Sequence, residues 1–286
     1  MSESPPPRSR ARPLERAAAY LRLPDCPDEP AELIDEATGL RCPRSGREFH
    51  VVGGVLDLLG EGFEKTAAQK PLDTRVVSWA YDQVRPRLAW VFGLPPFGRE
   101  VADVLERLDV QPGDVVLDVA CGHGNFTVEL VRRVGSQGLV IGVDIAGAML
   151  RRAAMHLRKE GLGNVLLVRG DAMELPIADD CLAKINCSGG LHGIPDLRLA
   201  LAEFARVSGV GARLCGSGFA TAPRDRLAGL KRRARERFDM HFVHMAWLRR
   251  ELERVGYADI GTEMPSTWIG YCWARFAASP EEVSSR

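Results

Sequence analysis

Three carboxylates and a tight set of glycines carry the spacing in this chain that points to ligand chemistry. VVLDVACGHGNFT (115–127) runs an apolar segment through Asp118 and straight into Cys121, Gly122, His123 and Gly124. Glycines lack a Cβ and let backbone approach a ligand, and a helix that starts behind them offers unpaired N–H groups. Asp118 is placed either to accept hydrogen bonds from a ligand ammonium or to orient the loop. Asp144 closes the next apolar run, LVIGVD (139–144), where a carboxylate can receive both hydroxyls of a ribose. Asp171, in GDA (170–172), stands at the end of a third run and suits an adenine amino group. His192 follows a fourth run, CLAKINC (181–187). It reads as a base or a substrate contact, because a near-neutral imidazole can take a proton, or else as a loop residue capping the next helix. His123 faces cofactor or solvent. His241 and His244 are spaced to share a helix face but read better as surface or capping residues.

These residues need a scaffold that gathers strand ends. The apolar runs at 115–120, 139–144, 165–171, 181–187 and 212–220 read as strands. Between them, 125–134, 149–160 and 197–207 read as helices. Val101, Val104, Leu105 and Leu108 recur at helical spacing before Gln111, Pro112 and Gly113 end that helix. A basic helix (224–238), an amphipathic helix (245–255) and two final strands (259–263 and 268–276) complete the chain. Val-, Ile- and Leu-rich strands alternating with helices indicate an α/β domain with a mostly parallel, Rossmann-like sheet and helices on both faces. Such sheets bind ligands beyond their carboxyl ends, where the strand order reverses.

Composition narrows the partners. The formal net charge of the 286 residues is zero, which gives no overall electrostatic case for nucleic acid. No apolar run approaches the ~20 residues of a membrane span. The first residues, MSESPPPRSRARP, lack the apolar stretch of a secretory signal and read as a solvated tail. Seven scattered cysteines read as reduced thiols of a cytoplasmic protein, not as a disulfide frame.

VLDVACGHGNFT resembles the first motif of the class I S-adenosylmethionine-dependent methyltransferases, an apolar run, an Asp and a glycine turn. GVDIAGAML resembles their second-strand motif, and GDAMELPIADD the third. LHGIPD is similar to the stretch closing the fourth strand, and EFARVSGVGARL to the turn before the fifth. Within the class, the chain is similar to the ubiquinone-biosynthesis-like branch, whose members methylate small molecules. The resemblance implies a seven-stranded sheet with a reversed last hairpin over about 96–276. It implies S-adenosylmethionine as cofactor, held by Asp118, Ala120, Cys121, Gly122, Gly124, Asp144, Ile145, Met149, Asp171, Ala172 and Ser188, with Asp144 on the ribose and Met149 covering adenine. His192 and Tyr81 would meet the acceptor, Tyr81 and Trp79 lying in the region that lids the site in this family; aromatic core packing is the equal alternative for these two. Ser208, Gly209 and Val210 depart from the usual Leu-x-Pro, and Gly193 replaces a second histidine, which puts the catalytic use of that segment in question.

Ahead of this domain, LRCPRSGREFHVVGGVLDLL resembles small zinc-ribbon-like modules, but each C-x-x-C pair has lost a member. Glu29 stands three residues after Cys26, and Ser45 three after Cys42. Cys26, Cys42, His50 and Glu29 leave a partial site open, and a metal-free β module is the expectation. The basic helix 224–238 reads as a solvated face, with RNA phosphates the alternative partner. The expected organisation is a tail (1–13), a ribbon-like module (14–69), a helical lid or linker (70–95) and a cofactor domain (96–286). The expected activity is methyl transfer to a quinone, lipid or secondary metabolite. The runners-up are an RNA base methyltransferase and a non-catalytic cofactor-binding regulator.

Overall fold

Short strands punctuated by Gly and Pro open the computed structural model, which describes residues 12–34, 38–60, 63, 95–222, 225, 227–238 and 241–277. The expected helices of 70–94, with Trp79 and Tyr81, and the first eleven residues lie outside the described residues. A short helix, α1 (Pro13–Ala17), precedes β1 (Glu32–Ile34), β2 (Gly39–Arg41), β3 (Glu48–Val52) and β4 (Val55–Asp57). Then come α2 (Phe97–Leu108), β5 (Val115–Val119), α3 (Asn125–Val134), β6 (Leu139–Asp144) and α4 (Gly147–Lys159). These lead to β7 (Val165–Arg169), β8 (Leu182–Cys187), α5 (Leu197–Val207) and β9 (Ser208–Thr221). The chain ends with α6 (Ala228–Phe238), β10 (Val243–His244), α7 (Met245–Arg254), β11 (Tyr257–Glu263) and β12 (Ile269–Phe276).

The strands form one sheet in the order β1-β2-β3-β4-β7-β6-β5-β8-β9-β12-β11, with β10 beside β9. From β4 to β9 every neighbouring pair is parallel. β12 runs antiparallel to β9, and β11 antiparallel to β12, which is the reversed last hairpin. Strand order reverses between β5 and β8, so the crevice for a ligand opens at their carboxyl ends. Apolar side chains fill both faces. Leu117, Ile141 and Val168 sit in one buried cluster, and Val116, Val140 and Leu167 in the other.

The N-terminal β strands are continuous with this sheet. Val55, Leu56 and Asp57 of β4 pair with Leu167, Val168 and Arg169 of β7. Without β4, β7 would present an open row of backbone donors and acceptors, and the pairing satisfies them. The segment behind α1 also holds the loop after β7: Arg22 N–H donates to Pro176 O (3.2 Å) and Ala178 N–H to Tyr20 O (2.8 Å).

Two expectations are corrected. Cys26 and Cys42, expected as reduced thiols, are joined as a disulfide with their Cα atoms 6.0 Å apart, a separation suited to such a bridge. The other five cysteines are free. Of the remaining residues of the partial metal set, Glu29 is held by Arg44 (3.0 Å) and His50 lies beside Glu48 (3.4 Å). Second, the basic helix is not wholly a solvated face. Lys231 is buried, pairs with Asp225, and donates to Ala220 O (2.8 Å) and to the carbonyl of Thr267. Arg232 and Arg233 are exposed as expected. No helix among the described residues is long and apolar enough to cross a membrane.

Candidate active site

A cleft opens where β5, β6, β7 and β8 end. Its floor is the turn after β5, where Ala120, Cys121, Gly122 and His123 line the space. Gly122 has φ +57° and nothing within 4 Å of where a Cβ would stand, so its backbone faces open room. Ala120 takes a positive φ of 53°, a conformation costly for a residue with a Cβ and held here by the surrounding packing. Gly190 makes this possible, since a Cβ there would come within 2.6 Å of the Ala120 Cβ.

Asp144 ends β6 and lines the cleft. Gly122 N–H donates to its Oδ2 and Ala146 N–H to its Oδ1, each at 2.8 Å. These two amides fix the carboxylate on the wall of the cleft. Ile145 and Met149 follow on the same wall, Met149 in the first turn of α4, which begins two residues earlier than expected. Asp171, Ala172 and Ser188 close the rim, Asp171 Oδ1 accepting from Met173 N–H at 2.9 Å.

Two expected residues stand behind the cleft. Asp118 is buried and accepts from Thr127 Oγ1 (2.6 Å) and from Asn186 Nδ2 (2.8 Å). Of its two alternatives, the geometry supports orienting the loop. Burial pushes its pKa up to about 6, against the lowering effect of those two hydrogen bonds. Gly124 caps α3 at φ +87°, and a Cβ there would stand 3.0 Å from the Ala153 Cβ, so it permits close packing on α4. The polar chain continues from Asn186 Oδ1, which accepts from Ser188 Oγ at 2.6 Å. Asn186 and Thr127 were not singled out in the sequence. A polar Asn inside the apolar run of β8 is the same signal that marked Asp118.

His192 lies in a single 3-10 turn, Leu191–Gly193, beside the cleft. Its ring meets Phe219 edge-on with centroids 4.5 Å apart. Burial lowers its pKa to about 4, with His241 adding a smaller push, so the ring is neutral at pH 7. His123 also lines the cleft, whereas His244 caps α7 by accepting from Trp247 N–H at 3.4 Å. Tyr81 lies outside the described residues.

Residues 94–227 match the ubiE/COQ5 methyltransferase family. A demethylmenaquinone methyltransferase of Geobacillus kaustophilus is 35% identical over 146 residues, which are 51% of this chain and 56% of that protein. The chain thus spans little more than half the length of that curated relative. Among solved structures, the Haemonchus contortus phosphoethanolamine N-methyltransferase 2 in complex with S-adenosyl-L-methionine superimposes with a TM-score of 0.62 at 15% identity, over 75% of this chain and 61% of that one. The fold is that of the class I methyltransferases. A second member of this fold, geranyl diphosphate C-methyltransferase from Streptomyces coelicolor, gives a TM-score of 0.57 at 15% identity, over 63% of this chain and 79% of that one. The methyltransferase fold serves both a nitrogen and a carbon acceptor in these two proteins, so acceptor chemistry must be argued from this chain's own cleft.

Proposed function

We propose that the chain is an S-adenosylmethionine-dependent methyltransferase acting on a small-molecule acceptor of the quinol class. The observation that carries this reading is Asp144, a carboxylate at the end of β6 fixed by the Gly122 and Ala146 amides on the wall of the cleft that opens where the strand order reverses. The family match and the demethylmenaquinone methyltransferase relative support the donor and the acceptor class.

When bound, S-adenosylmethionine supplies an electrophilic methyl group. The chain's contribution is alignment and exclusion of water. In this reading Asp144 receives the ribose hydroxyls, Asp171 the adenine amino group, and Ile145 and Met149 flank the base. Ala120, Cys121 and Gly122 border the donor through their backbone, with Ala172 and Ser188 on the facing rim. Asp118 and Gly124 act from behind, through the loop and helix they position. His192 contacts the acceptor.

Calorimetric titration of the full chain with S-adenosylmethionine tests the reading. Asp144→Asn is expected to weaken binding by about 1.5–3 kcal/mol, the range for hydrogen bonds to a charged group. Unchanged affinity in a folded variant would remove the assignment. Transfer of labelled methyl to a prenylated 1,4-naphthohydroquinone tests the acceptor, and binding without transfer to any quinol would leave only the donor half standing.

A further inference from the structure

We propose that the outer face of α4, together with the turn between β3 and β4, docks the protein on an anionic lipid bilayer. What the docking serves rests on the methyltransferase reading; the binding itself does not.

The argument begins with charge. α4 carries Arg151, Arg152, Arg158 and Lys159 and no carboxylate. Arg151, Met155 and Arg158 follow at spacings of four and three, so they share one face of the helix. All three are exposed. Arg151, Arg152 and Arg158 border one cavity of about 330 Å³, together with Ala148, Met155 and Gly53. No carboxylate stands among its described lining residues. The carboxylates closest in sequence to its two walls are engaged elsewhere, Asp57 by Arg169 (2.7 Å) and Glu160 by Arg132 (2.6 Å). A hollow bordered by guanidinium groups without a counter-charge suits a phosphate-bearing headgroup. Because the chain's formal net charge is zero, attraction to an anionic surface has to come from a local face such as this one.

The turn belongs to the same surface. Arg158 Nη1 donates to Gly53 O at 3.2 Å. A Cβ on Gly54 would stand 3.3 Å from the Ala154 Cβ, so the turn lies against α4. Val52, next to Gly53, is 74% exposed, and Met155 is 56% exposed. A free phosphate or a nucleic-acid backbone would pair with the arginines and leave both apolar side chains in water. A bilayer satisfies both kinds of group at once, phosphates against the guanidinium groups and the acyl boundary against Val52 and Met155. No aromatic side chain lines the cavity to stack on a base, which further separates lipid from RNA.

The face also adjoins the cleft. Met149, in the first turn of α4, lines the cleft, and the basic face begins two residues later at Arg151. The helix that would touch the bilayer thus supplies part of the cleft wall, an arrangement suited to an acceptor drawn from lipid.

Co-sedimentation of the full chain with vesicles tests the proposal and needs neither donor nor acceptor. The probes are vesicles of phosphatidylcholine alone and of phosphatidylcholine with about one-third phosphatidylglycerol. The parent is expected to bind only the second kind and to be released as salt screens the contact. Arg151→Gln with Arg158→Gln should lower the partition coefficient about twentyfold, at roughly fivefold per cation. Arg151→Lys with Arg158→Lys keeps both charges and should bind as the parent does, which separates lost charge from lost folding. Met155→Ser should weaken binding and leave its salt dependence unchanged. Arg232→Gln with Arg233→Gln removes two exposed charges from α6, where Glu236 stands 3.9 Å from Arg232, and should change nothing. A parent that ignores anionic vesicles would overturn the proposal. So would an equal loss in the α6 pair, or displacement by soluble glycerol phosphate at matched phosphate concentration, which would mean a free-phosphate site. Tighter binding of single-stranded RNA than of vesicles, lost in the α4 pair, would assign the face to nucleic acid instead. Vesicle binding by a chain that transfers no methyl group would still sustain the docking face.

Discussion

Asp118 stands inside an apolar strand and holds its loop at a cost. Burial raises its pKa from 3.8 to about 6. The folded chain therefore binds this proton more tightly than the unfolded chain does. Between about pH 4 and pH 6 the native state carries the extra proton, so stability falls as pH rises through that window and levels off above it. The shift corresponds to about 3 kcal/mol. Asp118→Asn should remove that slope, since the amide keeps an oxygen for Asn186 and offers its nitrogen to a rotated Thr127 hydroxyl. Urea unfolding at pH 4.5, 5.5 and 7 measures it, and a slope unchanged in the variant would place its source elsewhere. The sequence marked Asp118 as unusual but left its role open. Its partners explain why: Asn186 is 68 residues away in the chain, and nothing local tells a buried hydrogen-bonded carboxylate from one awaiting a ligand.

At the scale of elements, period and punctuation were informative where burial is simple. LVIGVD is β6 residue for residue, and 125–134 and 197–207 are helices with the boundaries read from the sequence. The basic helix shows the limit of that reasoning. Its charges look alike in sequence, yet among the described side chains Lys231 turns inward, to Asp225 and to two carbonyls on β9 and the loop before β12, while Arg232 and Arg233 stay exposed. Composition cannot say which cation of a run faces the sheet. Lys231→Gln should destabilise the fold by about 3 kcal/mol, because it leaves Asp225 buried without its partner. Arg232→Gln and Arg233→Gln, on the exposed side, should each change stability by no more than ~0.5 kcal/mol. Chemical denaturation of the three variants decides this, and three equal effects would mean that the inward bond of Lys231 carries no net stability. The Arg variants also test RNA: if phosphates bind there, each lost contact should flatten the salt dependence of affinity.

The whole molecule couples its N-terminal strands to the cleft. A ribbon-like sequence suggested a module apart, because short strands separated by Gly and Pro carry no mark of what they will pair with. Pairing of β4 with β7 makes it part of the central sheet. The residues behind α1 then hold 176–178, in the same loop that carries Asp171 and Ala172. Removing residues 1–60 should therefore do two things. It should open the edge of β7, whose Leu166, Leu167 and Val168 are buried, and an open apolar edge favours association between copies. It should also release the loop that carries Asp171, the residue proposed to meet adenine, and weaken S-adenosylmethionine binding. The ion pair across this junction, Asp57 with Arg169 at 2.7 Å, is a separate contribution, and Asp57 is partly exposed. Asp57→Asn should cost about 1 kcal/mol, since Asp57 is exposed although Arg169 is largely buried, and leave affinity within about twofold. Size-exclusion chromatography and calorimetry on both proteins separate backbone pairing from charge. If the truncated chain stays monomeric and binds as the parent does, β4 is an ornament on the sheet. If Asp57→Asn alone reproduces the truncation, the junction is held by its charges and not by its strands.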